Sequence, residues 1–140
     1  MNATTPTNAA QYARVRFTCR FIAVVQFGFG AVFLFAPAAT ARLFGFPPAP
    51  GWSDWLLGMM AARFIGYGFG LLLAARNPYE HRAWIQTMIF VQAIDWILTV
   101  FHLSKGDITL MQVPTAVIFP LLWLALLAGN RTPWTRPLEP

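Results

Sequence analysis

The fold follows from the stretch AARFIGYGFGLLLAARNPYEHRAWIQTMIFVQAIDWILTV, residues 61–100, in which two apolar runs flank the polar segment NPYEHR. Asn77 and Pro78 are turn-forming residues, so the chain is expected to reverse direction there. Each run extends away from the turn to roughly 20 residues, the length of one helix across a bilayer. The stretch therefore predicts two antiparallel membrane helices, at about 53–75 and 83–103.

The composition of the whole chain excludes a water-soluble domain. Of its 140 residues, 57% are hydrophobic and 11% are charged, whereas a soluble domain is roughly a quarter charged. Two further apolar runs lie outside the hairpin, at 17–35 and at 108–128, and the second contains Pro114 and Pro120. The sequence therefore predicts an all-α integral membrane four-helix bundle over residues 17–129.

The segments outside the four spans are more polar. Residues 1–16 are interpreted as a flexible cytoplasmic segment, and residues 130–140 as a cytoplasmic tail. Residues 37–51 are rich in proline and are expected to carry a short helix along the membrane interface. Asp107 is predicted to cap the fourth span. Small residues after the first span imitate a signal-peptide cleavage site, but Pro37 lies within that site and argues against cleavage.

The basic residues divide unevenly between the two sides of the predicted bundle. One side has Arg42 and Lys105. The other side, which carries both termini and the central loop, has Arg14, Arg16, Arg20, Arg76, Arg82, Arg131 and Arg136. Because cytoplasmic loops are enriched in Lys and Arg, we expect a multi-pass, N-in/C-in protein of a bacterial cytoplasmic (inner) membrane. Topology and anionic lipids then explain the net charge of +5, and no nucleic-acid partner is expected.

Two residues of opposite charge lie near the middle of the two apolar runs of the hairpin. Arg63 and Asp95 are both sixteen residues from Tyr79 at the centre of the hairpin, so antiparallel helices of equal rise bring them to one depth. A lone charge at the bilayer centre costs roughly 2.5–3.5 kcal/mol, and an opposite charge at the same depth reduces that cost. We predict that the two residues form an ion pair, which either sets the helix register or belongs to a functional site.

Other polar side chains extend this predicted centre. Residues of the third span at spacing i, i+3, i+7 and i+10 share one helix face, and the first span contributes an amide at a similar depth. The candidate intramembrane polar cluster comprises Gln26, Arg63, Gln92, Asp95, Thr99 and His102. For His102, a hydrogen-bonded interfacial role is the main interpretation and a role as proton carrier is the alternative.

Small residues recur at every fourth position of the second span, at Gly58, Ala62, Gly66 and Gly70. Such a series allows another helix to approach closely. We predict that these four residues pack against a neighbouring helix, with Gly66 in near-contact, and that Gly68 points elsewhere.

The sequence lacks the motifs of the common catalytic and metal sites. It contains no Walker loop, GxSxG, HExxH or CxxC motif. Cys19 is the only cysteine, so an internal disulfide and a thiol pair are excluded. We therefore predict no metal, no cofactor and no catalytic residue from motifs.

Four segments resemble the DoxX-like group of small bacterial membrane proteins. They are RFIAVVQFGFGAVFLFAP (20–37), LFGFPPAP (43–50), AARFIGYGFGLLLAAR (61–76) and NPYEHRAWIQ (77–86). The resemblance implies a four-helix bundle in the cytoplasmic membrane. One branch of that group resembles the small subunit of a membrane thiosulfate:quinone oxidoreductase, but no catalytic residue carries over, and the lone cysteine does not support an independent redox role.

Three functions fit these features. The first, which the low polarity and the missing motifs favour, is a non-catalytic accessory subunit of a larger membrane complex or homo-oligomer, or a binder of an apolar small molecule such as a quinone or lipid. The second is a small proton-coupled transporter using Asp95 and Arg63. The third is an enzyme resembling the emopamil-binding sterol isomerases, with Asp95 and His102 as acid and base.

Overall fold

The computed structural model describes residues 6–47, 50–130 and 134, and the regular elements of this part of the chain are all helices. The described residues form α1 (Pro6–Phe35), α2 (Pro37–Leu43), α3 (Trp52–Arg76), α4 (Arg82–Lys105) and α5 (Pro114–Gly129). Three of these helices, α1, α3 and α4, are long and apolar enough to cross a membrane. The predicted all-α class is therefore confirmed, and three helices have the length and apolarity of membrane spans. α5, with 16 residues, is shorter than the predicted fourth span.

The first helix begins well before the predicted span. It starts at Pro6, and within it the side chain of Val15 is 1% exposed. Arg16 Nε donates a hydrogen bond to the backbone oxygen of Ala75 at 2.9 Å, which ties this part of α1 to the end of α3. The flexible segment predicted for residues 1–16 is therefore wrong from Pro6 onward. Residues 1–5 and most of the predicted tail lie outside the described residues.

The last helix begins six residues later than predicted. Pro114 is at its first turn, where the missing N–H of proline costs no helical hydrogen bond. Asp107 does not cap α5: its carboxylate contacts His102 instead, at 2.8 Å. Gly106, at φ 76°, ends α4 in the left-handed conformation that glycine adopts most easily. Pro120 is the proline that remains inside α5.

The turn of the α3–α4 hairpin forms where the sequence predicts it. The Asn77 side-chain oxygen accepts a hydrogen bond from the Glu80 N–H at 3.2 Å. The Asn77 backbone oxygen accepts another from the His81 N–H at 3.1 Å. Pro78 is fully buried beneath the turn. Asn77 therefore replaces helical hydrogen bonds with turn hydrogen bonds.

Side-chain packing is concentrated at one end of the molecule, where α1 begins, α5 ends and the hairpin turns. We call this the closed end. The most extensive helix contacts are between α1 and α3 and between α4 and α5, and the contact between α3 and α4 is smaller. The buried core of the closed end consists of Val15, Cys19, Ile22, Ala23, Leu71, Ala74, Ala75, Ile85, Met88, Trp123, Leu127 and Trp134.

Three described glycines allow close helix approach, and one of them, Gly70, belongs to the predicted four-residue series Gly58, Ala62, Gly66 and Gly70. A Cβ atom at Gly70 would clash with the Trp84 ring, and one at Gly68 would lie 2.9 Å from Phe27. A Cβ atom at Gly30 of α1 would lie 3.3 Å from the Ala61 backbone oxygen of α3. These contacts hold α3 against both α1 and α4.

The other three positions of this series do not pack against another described helix. A Cβ atom at Gly58 or Gly66 would meet nothing within 4 Å, and Ala62 is exposed. Within the described chain the packing prediction is therefore wrong for these three residues, and Gly68 is buried although it was predicted to point elsewhere. Along an α-helix, residues four apart differ in direction by about 40° around the axis, so a series of four-residue steps drifts around the helix. Residues seven apart differ by only about 20°, so they stay near one face. The buried face of α3 follows the seven-residue step, through Ala61, Gly68 and Ala75.

Candidate functional site

At the opposite end of the molecule the helices separate around an apolar cavity of about 750 Å³. We call this the open end, formed by α2, the first half of α3 and residues 112–116. The apolar lining includes Phe33, Phe44, Leu57, Val113 and Ala116. Ligand sites for small molecules have volumes of roughly 300–1,000 Å³ and mostly apolar walls. The cavity therefore has the size and the lining of a binding site for an apolar small molecule.

The wall formed by α2 results from a local break in the chain. α1 ends at Phe35, and Pro37 starts the seven-residue α2, whose Thr40 hydroxyl donates to the Ala36 oxygen at 2.8 Å. Gly45, at φ 71°, turns the chain after α2. Gln112 then donates from its side chain to the Gly45 oxygen at 3.2 Å, which ties this wall to the segment before α5.

An aromatic column connects the cavity to the core of the closed end. Phe33, which lines the cavity, stacks on Phe64 with 5.6 Å between ring centroids. Phe64 in turn contacts Phe29 at 5.7 Å, and Phe29 contacts Phe119 at 5.9 Å. Phe119 stacks on the buried Trp123 at 5.3 Å. The column therefore runs from the cavity lining at Phe33 to the buried core at Trp123.

Two opposite charges line the same cavity. Arg42 is in the last turn of α2, and Asp54 is in the first turn of α3. Both side chains are exposed, and neither takes part in the ion pairs formed among the described residues. Ser53, which also lines the cavity, donates to the Pro50 oxygen at 2.7 Å. The cavity therefore has apolar walls and a charged mouth.

The predicted ion pair of the hairpin is present, outside the lining of this cavity. Arg63 Nη2 donates to Asp95 Oδ2 at 2.8 Å, and the two side chains are 38% and 31% exposed. Thr99 donates from its hydroxyl to the Asp95 backbone oxygen at 2.7 Å, so it does not contact the carboxylate through that bond. The contact between the two charges is confirmed, and its role stays a prediction.

The two glutamines of the predicted cluster form a separate buried group. Gln26 and Gln92 are 3% and 7% exposed, and their side-chain nitrogens lie 3.9 and 3.3 Å from the Met88 sulfur. The Gln26 side-chain oxygen has no hydrogen-bond partner among the described residues. No hydrogen bond found in the described chain joins these amides to Arg63 or Asp95. The two buried glutamines are therefore separate from the partly exposed Arg63–Asp95 pair.

His102 is bonded to a residue other than Asp95. Its Nδ1 atom lies 2.8 Å from an Asp107 carboxylate oxygen, and Lys105 Nζ lies 3.5 Å from the same oxygen. Both side chains of the His102–Asp107 pair are more than two-fifths exposed. The acid and base of the isomerase hypothesis are thus each engaged with a different partner, and neither lines the cavity.

Sequence reasoning missed the residues of the cavity itself. The signal was the proline-rich break after Phe35 followed by a short apolar helix, but only the folded chain brings that helix beside α3 and residues 112–116. Among the described residues no group of histidine, cysteine, aspartate or glutamate could hold a metal ion, and Cys19 is fully buried. No protein-family model, curated protein or solved structure matches this chain. The candidate site is therefore interpreted from its geometry.

Proposed function

We propose that this chain is a non-catalytic membrane protein that binds an apolar small molecule, a lipid or a quinone, in the open-end cavity. The apolar cavity of about 750 Å³ is the observation that carries the proposal. Three helices of membrane-spanning length support it, because an apolar ligand dissolved in the bilayer would reach the cavity without crossing water. An accessory subunit of a larger membrane complex is the other form of this non-catalytic proposal.

The proposal extends to a DoxX-like, four-helix, N-in/C-in protein of a bacterial cytoplasmic membrane. The distribution of basic residues supports this orientation, and it puts the open end on the outer side. Glu80→Cys and Ser104→Cys, each on a Cys19→Ala background, test it because both positions are exposed at opposite ends. An impermeant maleimide added to whole cells should label Ser104→Cys alone. Labelling of Glu80→Cys from outside would reverse the topology.

Two alanines of α5 provide a matched test of binding. Ala116 lines the cavity, whereas Ala125 is exposed and lies outside the lining. Protein purified from membranes is analysed by native mass spectrometry for retained lipid and quinone, and then titrated with decylubiquinone and phosphatidylethanolamine. Ala116→Trp should reduce both retention and binding at least tenfold, because the indole fills the cavity. Ala125→Trp should bind normally; equal binding by both variants would contradict the proposal.

Proton-coupled transport is the second candidate, and the Arg63–Asp95 ion pair at 2.8 Å favours it. Ionisable residues within membrane helices commonly mark proton or substrate pathways. Protein reconstituted in liposomes with an internal pH-sensitive dye provides the test. Transport requires a protein-dependent proton flux that Asp95→Asn abolishes, and a flux equal to that of empty liposomes eliminates this candidate.

A further inference from the structure

We infer that the ligand of the open-end cavity is a zwitterionic phospholipid whose phosphate binds Arg42 and whose ammonium binds Asp54. This inference rests on the proposed function, because it names the ligand of the same cavity. It is carried by the charges at the cavity mouth rather than by the cavity volume.

The two charged residues of the cavity lining are not paired with each other. Arg42 and Asp54 both line the cavity, yet they form no ion pair with each other, so their charged atoms are more than 4 Å apart. A guanidinium group offers planar donors that suit phosphate oxygens. A carboxylate accepts hydrogen bonds from an ammonium group. The mouth therefore presents one group for each charge of a zwitterion, at separate positions.

Uncharged, anionic and cationic ligands each fail to complement both charged residues. An uncharged quinone would leave both side chains without a complementary group. An anionic headgroup would be attracted by Arg42 but repelled by Asp54. A cationic headgroup would be attracted by Asp54 but repelled by Arg42. Only a headgroup with both charges complements both residues, and charge complementarity is what discriminates between ligands of similar apolar content.

The residues around Asp54 indicate its depth in the membrane. Asp54 lies in the first turn of a membrane-length helix, between Trp52 and Trp55, which are 64% and 66% exposed. Exposed tryptophans at the end of a membrane helix are typical of the headgroup level of the bilayer. Asp54 therefore lies where a phospholipid carries its headgroup, and Arg42 lines the same cavity. The walls formed by Phe33, Leu57 and Val113 lie alongside and would take an acyl chain.

Lipid selectivity measures the inference directly. The full-length protein in detergent is titrated by native mass spectrometry with three lipids of equal acyl chains: zwitterionic phosphatidylethanolamine, anionic phosphatidylglycerol and uncharged diacylglycerol. The wild type should prefer phosphatidylethanolamine to each of the others by about threefold to fivefold, the range expected of exposed ion pairs. Asp54→Asn should shift the preference to phosphatidylglycerol. Arg42→Gln should lose the preference without gaining the anionic lipid.

A control variant separates these effects from general damage at the open end. Lys105→Gln removes a charge near the end of α4 that contacts Asp107 and does not line the cavity, so it should retain the wild-type preference. A misfolded variant would not invert selectivity, which makes the Asp54→Asn result specific.

Failure of this inference and failure of the proposed function give different results. If the wild type binds all three lipids equally, or binds decylubiquinone and no phosphatidylethanolamine, while Ala116→Trp blocks binding, the headgroup assignment is overturned and the cavity function stands. If the wild type binds none of these molecules, or Ala116→Trp binds as well as wild type, the cavity function itself is overturned.

Discussion

The closed and open ends of this molecule contain the same helices but use them differently. At the closed end, large side chains such as Ile22, Leu71, Ile85 and Trp123 are fully or almost fully buried. At the open end, the described lining residues are half-buried or exposed, apart from Thr40. In a membrane, helices associate through close packing rather than by escape from water. The closed end therefore provides most of the stability, and the open end provides space for a ligand.

Small and proline residues account for this difference. Ala23, Ala74, Ala75 and Gly70 let the helices approach at the closed end, where all four are buried. At the open end, prolines begin both α2 and α5. These starts interrupt the helical ladder and redirect the chain, so α2 lies beside α3 instead of prolonging α1.

The largest effect should come from adding volume at the closed end. Gly70→Leu must displace the Trp84 ring and should destabilise the protein by about 3 kcal/mol, the upper part of the range for overpacked cores. Gly66→Leu enters open space and should leave stability unchanged or slightly raised. Unfolding by SDS titration in mixed micelles measures both. Equal damage would mean that Gly66 has a neighbour in another chain.

Removing side-chain volume should likewise cost more stability at the closed end than at the open end. Leu71→Ala at the fully buried core should cost about 2 kcal/mol, because it leaves a cavity among packed helices. Leu57→Ala enlarges a cavity that already exists and should cost under about 0.5 kcal/mol. The same titration in mixed micelles applies. A similar cost at both positions would show that the open end is packed as tightly as the core.

A smaller effect is expected at the ion pair near the middle of α3 and α4. Arg63→Ala and Asp95→Ala should each destabilise the protein, because the remaining charge loses its partner. The double variant should recover part of the loss, with a coupling of about 1 kcal/mol as for interhelical hydrogen bonds in membranes. A double-mutant cycle of unfolding free energies measures it. Strictly additive losses would show that the pair does not form in the membrane.

The smallest effect is expected at Gln26. Its side-chain oxygen has no partner among the described residues, and its nitrogen contacts only the Met88 sulfur, at 3.9 Å. Gln26→Leu should therefore change the unfolding free energy by less than about 0.5 kcal/mol. Gln26→Asn, which keeps the amide but shortens it, is the control. A loss above about 2 kcal/mol for Leu, with partial retention by Asn, would reveal a polar partner for that oxygen.

The hairpin shows which features local sequence is able to predict. The predicted spans 53–75 and 83–103 agree with α3 (Trp52–Arg76) and α4 (Arg82–Lys105) to within two residues at each end. The contact between Arg63 and Asp95 was also predictable, because equal distances from one turn place two residues at equal depth. These features depend on segments of about forty residues that contain their own turn.

The candidate site was not predictable in the same way. Which face of α3 is buried depends on rotation about the helix axis, which Phe27 and Trp84 set from two other helices through Gly68 and Gly70. The cavity depends on contacts between segments far apart in sequence, such as Gln112 with Gly45.

Apolar length and turn chemistry were therefore enough to predict an all-helical chain with helices long and apolar enough to cross a membrane. Both features act within short windows of sequence, and a bilayer core without water favours segments that satisfy their own backbone hydrogen bonds. Helix rotation, the separation of the open end and the placement of Arg42 and Asp54 in the lining of one cavity were decided by tertiary packing. Inside a membrane, lipid solvates every apolar helix face about equally well. Hydrophobicity alone therefore does not specify which faces meet, and only the fit of particular side chains does.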